Sequence, residues 1–424
     1  MSNLREDAKF IYTRAIEAVL PDEAVRRALS GQRFPGRVVL VAVGKAAWRM
    51  ASAAKDALGE RIGTGIVITK YGHVKGAIPG VICREAGHPV PDENSFAAAK
   101  EALALTAGLG ADDTVLFLLS GGGSALFESP LVPGGELQDI TAQLLACGAD
   151  IVEINTVRKR LSAVKGGRFA QRCAPAHVFA VILSDIVGDP VDMIASGPVS
   201  PDSSTCADAL AVAEKYSLRL SEEARGRLAE ETPKALDNVT VKITGSVREL
   251  CAAAAAACRE AGYTPEILTD CEQGVAREVG ARLGALAREN AGMDTARAYI
   301  LGGETVVRLT GHGKGGRNQE LALAAAAEIA GLDNAVVFSV GSDGTDGPTD
   351  AAGGIVDGGT VERLAAAGKT VADVLRENDA YHALRDTGDL IFTGATGTNV
   401  NDFAAALIRM PEHRSSREEN YDDL

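Results

Sequence analysis

A series of short, unbroken apolar runs, each closing on glycine or on a polar loop, limits this chain more than any other feature. The runs fall at Arg37–Val43, Gly65–Thr69, Thr114–Leu119, Val178–Leu183, Val239–Thr244, Arg297–Leu301, Val336–Val340 and Leu390–Phe392. An apolar run without alternation suits a strand covered on both faces. Most runs are separated by Ala-rich stretches with helical character, such as Ala46–Leu58 and Gln319–Ala330. Alternation of this kind predicts α/β units on a largely parallel sheet. Before the first run, residues 4–29 read as helix, with Leu4, Ile11, Ala15 and Val19 at spacings of three and four and Pro21 interrupting.

A length of 424 residues leaves room for two domains. A boundary is expected near Pro233–Asn238, where a polar segment gives way to a new strand. This divides the chain into an N-terminal α/β domain (1–236), a C-terminal α/β domain (237–410) and a polar tail (411–424). The net charge of −14 argues against nucleic acid or an anionic membrane as partner. No apolar run approaches the roughly 20 residues needed to span a bilayer, and the opening MSNLREDAKF has no apolar signal region. A cytoplasmic location is expected. Seven cysteines without a CxxC pair read as small buried apolar groups in a reducing compartment.

In an open α/β sheet, ligands bind where strands open into loops at their carboxyl ends. Ser120-Gly121-Gly122-Gly123-Ser124 follows such a strand and offers backbone N–H groups to an anion. It lacks both the Walker A lysine and the GxGxxG spacing. A second glycine-rich loop, Gly311–Asn318, leads into a helix. Its Lys314, Gly315, Gly316, Arg317 and Asn318 would pair cations with a helix N-terminus. Lys45 sits at the tip of the first strand, where it points into a cleft or is an ordinary surface lysine. The densest basic stretch runs from Asn155 to Arg168. There Arg158, after an Asn-Thr cap, reads as a substrate or phosphate contact, and Lys159 and Arg160 read as a solvated helix face. Two acidic loops, Ser184–Asp192 and Gly341–Asp350, place Asp185, Asp189 and Asp343 at strand ends as candidate Mg²⁺ ligands or base. Residue chemistry alone reaches a transferase or hydrolase acting on a small phosphorylated or carboxylated compound.

Several segments together resemble the class II glycerate 2-kinase (MOFRL) family. They are VAVGKAA around Lys45, GHPVPDENS (87–95), LLSGGGSAL (118–126), INTVRKRLSAVKGGR (154–168), LSDIVGDP (183–190), IASGPVSPD (194–202), LGGETVVRL (301–309), GGRNQELAL (315–323), GSDGTDGPTDAAGG (341–354) and TGTNVND (396–402). They span nearly the whole chain in one order. The resemblance implies two α/β domains with the active site in the cleft between them, the N-terminal one Rossmann-like and the C-terminal one of MOFRL type. It also implies ATP and a divalent metal as cofactors, D-glycerate as acceptor and 2-phosphoglycerate as product. The family's active-site lysine and arginine correspond to Lys45 and Arg317; a homodimer stays open. Within that frame the glycerate carboxylate docks on the Ser120–Ser124 loop with Arg158, while Lys45 and Arg317 neutralise the transferring phosphoryl group. Mg²⁺ is steadied by Asp189 or Asp343, and Asp185 is the candidate base. Some family members bear the name hydroxypyruvate reductase, but no GxGxxG with a following acid supports a dinucleotide site. A non-catalytic sensor of organic acids is the remaining alternative.

Overall fold

A computed structural model describes residues 4–411 except 185, 187 and 189. Among the described residues, twelve strands form two six-stranded sheets. The first holds β1 (Val38–Val43), β2 (Ile62–Lys70), β3 (Val81–Ala86), β4 (Thr114–Leu119), β5 (His177–Ile182) and β6 (Val239–Ile243). Its order is β3-β2-β1-β4-β5-β6, and every pairing is parallel. This is the Rossmann order, with the reversal of chain direction between β1 and β4. Both of those strands are buried along their whole length, which is why their sequences are apolar without alternation.

The second sheet holds β7 (Thr264–Glu272), β8 (Arg297–Gly303), β9 (Ala335–Gly341), β10 (Gly353–Asp357), β11 (Leu390–Ile391) and β12 (Asp402–Ile408), in the order β11-β10-β9-β12-β8-β7. Only β7 and β8 run parallel; the other pairings are antiparallel. The expectation of largely parallel strands therefore holds for the first sheet and fails for the second. There β12, the last strand in sequence among the described residues, enters antiparallel between β8 and β9.

The chain divides into two units, one of Glu17–Leu250 with Gly397–Asn401, the other of Met1–Ile16, Cys251–Thr396 and Asp402–Leu424. We call them the parallel-sheet and mixed-sheet units. The division differs from the boundary at 236/237 because β6 pairs with β5 and completes the first sheet. The N-terminal helix Leu4–Ala18 also contributes its first residues to the mixed-sheet unit. The parallel-sheet core packs Val41, Val43, Phe117, Leu119, Phe127 and Phe169 on one face; the mixed-sheet core centres on Leu301, Leu321, Val337 and Ala404. The cysteines are all free, but only Cys173, Cys251 and Cys258 are buried, and Cys147 and Cys271 are exposed.

Candidate active site

At the reversal point of the parallel sheet, the loops after β1 and β4 are laced together. Gly44 ends β1 at φ +117°, and a Cβ there would overlap the hydroxyl and carbonyl oxygens of Ser120. Only glycine fits both the conformation and the space. Lys45 N–H donates to Gly121 O at 2.9 Å, and Ala46 N–H to Ser120 Oγ at 3.0 Å. Ser120 is thereby a brace, since its own N–H is spent on Val43 O at 2.9 Å. The amides of Gly121, Gly122, Gly123 and Ser124, in contrast, donate to no described protein acceptor. Gly122 adopts φ +87°, and a Cβ there would crowd the side chains of both His88 and Lys45. Lys45 is exposed, and no described carboxylate pairs with it. Burial lowers the His88 pKa, and Lys45, Lys70 and His73 push it further down, so the ring is neutral near pH 7. A cluster of open amides beside an uncompensated ammonium is an anion-binding surface.

Behind this loop lies a buried charge cluster. Arg158 and Lys165 both donate to Ser124 O at 2.9 Å, and Glu128, fully buried, lies 3.4 Å and 3.5 Å from their nitrogens. Arg158 thus holds the loop from behind, and its buried Nε lacks a partner among the described residues. Burial pushes the Lys165 ammonium down to about 8, partly offset by Glu128. The helix Ile151–Arg160 is capped by Asp150, not by Asn155 and Thr156, which are buried within it. Asn155 Oδ1 accepts from Ser196 Oγ at 2.8 Å. Ser196 and the preceding Ala195, which abuts Gly123, both have positive φ, a strained turn packed against the glycine loop. Lys159 and Arg160 do not form a solvated face: they are 3% and 0% exposed. Both pair with buried Asp202, at 3.1 Å and 3.5 Å. A helix buried on two sides leaves no solvent face for them.

In the mixed-sheet unit Arg317 opens the helix Arg317–Glu328. Its guanidinium forks onto Asp402 through Nε and NH2 and pairs with Glu304 Oε1 through NH1 at 3.1 Å. Burial opposes the charge, but Asp402 and Glu304 outweigh it, so Arg317 is held firmly protonated. The helix N-terminus is already capped. Asp346 accepts from Asn318 N at 3.1 Å and from Gln319 N at 2.8 Å. Asn318 is 1% exposed, and its side chain is taken by Asp346 and Ser339, which removes it from the expected phosphate contacts. The amides of Gly315, Gly316 and Arg317 donate to no described acceptor and remain open to an anion. Lys314 lies 4.5 Å over the Tyr381 ring.

The glycines of this loop answer to packing as well as to any ligand. A Cβ on Gly311 or Gly313 would overlap Glu377–Asp379, and one on Gly316 would overlap Asp346. Gly302 and Gly303 belong to β8. A cavity of about 850 Å³ opens beside Arg317, lined by residues of this unit alone, including Gln273, Glu304, Val306, Leu309 and Gly316. Asp343 keeps one oxygen in a turn with Thr345 N at 2.9 Å, and the other meets no described partner. Asp185 and Asp189 lie outside the described residues. Among the described residues no three His, Cys, Asp or Glu side chains come together as a metal-binding group.

The family model described as Domain of unknown function (DUF4147) matches residues 7–229, and the model of the MOFRL family matches residues 297–402. A Thermotoga maritima chain named D-glycerate 2-kinase is 51% identical, covering 96% of this chain and 99% of its own. The chain belongs to the class II glycerate 2-kinase (MOFRL) family. A Pyrococcus horikoshii member named glycerate 2-kinase is 40% identical over 97% of this chain and 99% of its own. An Agrobacterium vitis member, 40% identical over 95% of this chain and 94% of its own, is provisionally named hydroxypyruvate reductase. The crystal structure of glycerate kinase from Thermotoga maritima superposes with a TM-score of 0.91 at 50% identity, over 96% of this chain and 99% of that one.

Sequence reasoning assigned no role to Glu304, Asp402, Glu128 or His88 in this MOFRL-family chain, and to Asp346 only a place in the acidic loop Gly341–Asp350. Each stands inside or beside a segment that carries the family resemblance, so the signal was present as motif membership without chemistry.

Proposed function

We propose that this chain transfers the γ-phosphoryl group of ATP to the 2-hydroxyl of D-glycerate, forming 2-phospho-D-glycerate and ADP. The observation that carries this is the 51% identity, across nearly both chains, to a D-glycerate 2-kinase. The geometry supplies fitting chemistry. The open amides of Gly121–Ser124 receive the glycerate carboxylate, with Arg158 and Lys165 holding the loop in shape from behind. Lys45 contributes an uncompensated positive charge to the transferring phosphoryl group. Arg317, although paired with Asp402 and Glu304, presents its guanidinium beside the open amides of Gly315 and Gly316. Asp185 remains the candidate base. Asp343, with one free carboxylate oxygen, fits the habit of Mg²⁺, which takes one or two carboxylates and fills its sphere with phosphate and water. Asp189 is the alternative ligand. The bound ion would neutralise phosphate charge.

No helix among the described residues is long and apolar enough to cross a membrane. The reductase alternative finds little in the fold. The first strand-to-helix turn of the parallel sheet is Gly44-Lys45-Ala46, not a glycine fingerprint for a pyrophosphate. Phosphorus NMR of the product from D-glycerate, ATP and Mg²⁺ tests the proposal, with a 2-phosphoglycerate resonance expected. A 3-phosphoglycerate resonance, or robust NADH oxidation with hydroxypyruvate, would overturn it.

A further inference from the structure

Two large apolar side chains of the mixed-sheet unit stand in water with no internal reason to do so. Val306 is 53% exposed and Leu309 79%. Scattered exposed aliphatics are common, but these two line the same cavity. That cavity, about 850 Å³, also has Val307, Pro348 and Ala380 in its lining, with Arg317, Gly315 and Gly316 in the same enclosure. It therefore brings apolar side chains and a phosphate-competent group into one lining. Its volume falls within the roughly 300–1,000 Å³ of cofactor sites, which are mostly apolar with a few polar groups fixing orientation.

The polar groups in the lining differ in how they are used. Glu320 is tied to Arg277 at 2.8 Å and to Asn378 Nδ2 at 3.0 Å. Asn378 is fully occupied in turn: its Oδ1 accepts from Thr310 N at 2.7 Å and Gly311 N at 2.9 Å, and its Nδ2 also donates to Arg308 O. That side chain locks the 308–311 segment, and with it Leu309, into one shape. Gln273 is different. It is exposed and its amide bonds to no described residue, leaving a donor and an acceptor side by side.

We propose that this cavity is the nucleoside subsite: the adenosine of ATP lies against Val306, Leu309 and Pro348, its polar edge meets Gln273, and its phosphates run toward Gly315, Gly316 and Arg317. An aromatic base with polar edges and an anionic tail matches the three kinds of group that converge here. The assignment rests on the kinase reading above. It adds that the nucleotide belongs to the mixed-sheet unit.

The test separates the two claims. Wild-type chain is first assayed for D-glycerate-dependent ADP formation; its absence overturns the kinase reading itself. With an active wild type, Val306→Asp and Leu309→Asp are each expected to raise KM for ATP and the calorimetric Kd for ADP by tenfold or more. KM for D-glycerate should stay within about twofold, and the unfolding temperature should not move, since both positions are exposed. Unchanged ATP and ADP constants in both variants overturn the subsite. Photolabelling of the wild-type chain with 8-azido-ADP gives a reading independent of any variant. Label in peptides carrying Gln273 or residues 305–309 supports the assignment, and label confined to residues 17–250 overturns it.

Discussion

Lys45 and Arg317 are both cations at the mouths of glycine loops, yet their surroundings differ. Lys45 has no described counter-ion, so its charge is available to a ligand without breaking any pair. Lys45→Ala is expected to lower kcat by on the order of 10²-fold, the scale for loss of one transition-state charge donor. The unfolding temperature should hold, because the side chain is exposed; steady-state kinetics beside a thermal melt checks both. Arg317 is instead gripped by Asp402 through two nitrogens and by Glu304 through the third. A lysine offers a point charge and cannot match that planar fork. Arg317→Lys should therefore lose most of the kcat/KM that Arg317→Ala loses, at low and at high salt alike. A lysine variant close to wild type at low salt and failing only at high salt would show that charge alone matters there.

At the scale of elements, the helix Arg317–Glu328 shows how a local motif can be claimed by the protein itself. A glycine-rich loop before a helix is an anion site by its amides and dipole. Here Asp346, 28 residues away, supplies the anion for the amides of Asn318 and Gln319, and the loop amides before them stay open. Burial raises the Asp346 carboxyl to about 6, although the two backbone donors pull the other way. The sign follows directly. Between the unfolded value of about 3.9 and about 6, the native state holds a proton that the unfolded state has released. Stability from this group therefore falls as pH rises through that window. The stability of wild type relative to Asp346→Asn should decline by up to roughly 3 kcal/mol from pH 4 to pH 6. Denaturant titrations of both proteins at several pH values measure it, and parallel curves would refute the protonation.

At the scale of the whole molecule, chain order and spatial order part company at the start. Helix Leu4–Ala18 precedes the parallel-sheet unit in sequence, yet its first residues belong to the mixed-sheet unit. Ala8, Ile11 and Ala15 are fully buried, Tyr12 meets Phe338 edge-on at 5.8 Å, and Arg5 reaches Asp389 at 2.6 Å. Asp7 accepts from Tyr263 OH at 2.6 Å and pairs with Arg409. Each large apolar side chain uncovered costs about 1.5–3 kcal/mol. Deletion of residues 1–16 should lower the unfolding temperature and abolish activity, though it removes no proposed catalytic group. Circular dichroism melts and an ADP-release assay check this, and a truncated enzyme of normal stability would contradict it.

Strands β1, β2, β4, β5, β6, β8, β9 and β11 all fall on the apolar runs; all of these except the edge strands β6 and β11 are mostly buried, and a strand covered on both faces is apolar at nearly every position. The glycine loop after β4 and the Lys45 turn after β1 were legible for the same reason, because a strand end announces a ligand-facing loop. Strands β3, β7 and β10 went unread. So did β12, whose Asp402-Phe-Ala-Ala-Ala-Leu-Ile408 carries helical propensity that pairing with β8 and β9 overrides. Tertiary structure alone decided which charges remain free. Asp402 lies 85 residues from Arg317 in sequence, and Asp202 about 40 from Lys159 and Arg160. No local pattern encodes such a meeting, because ion pairs across distant segments depend on which surfaces the folded chain buries together.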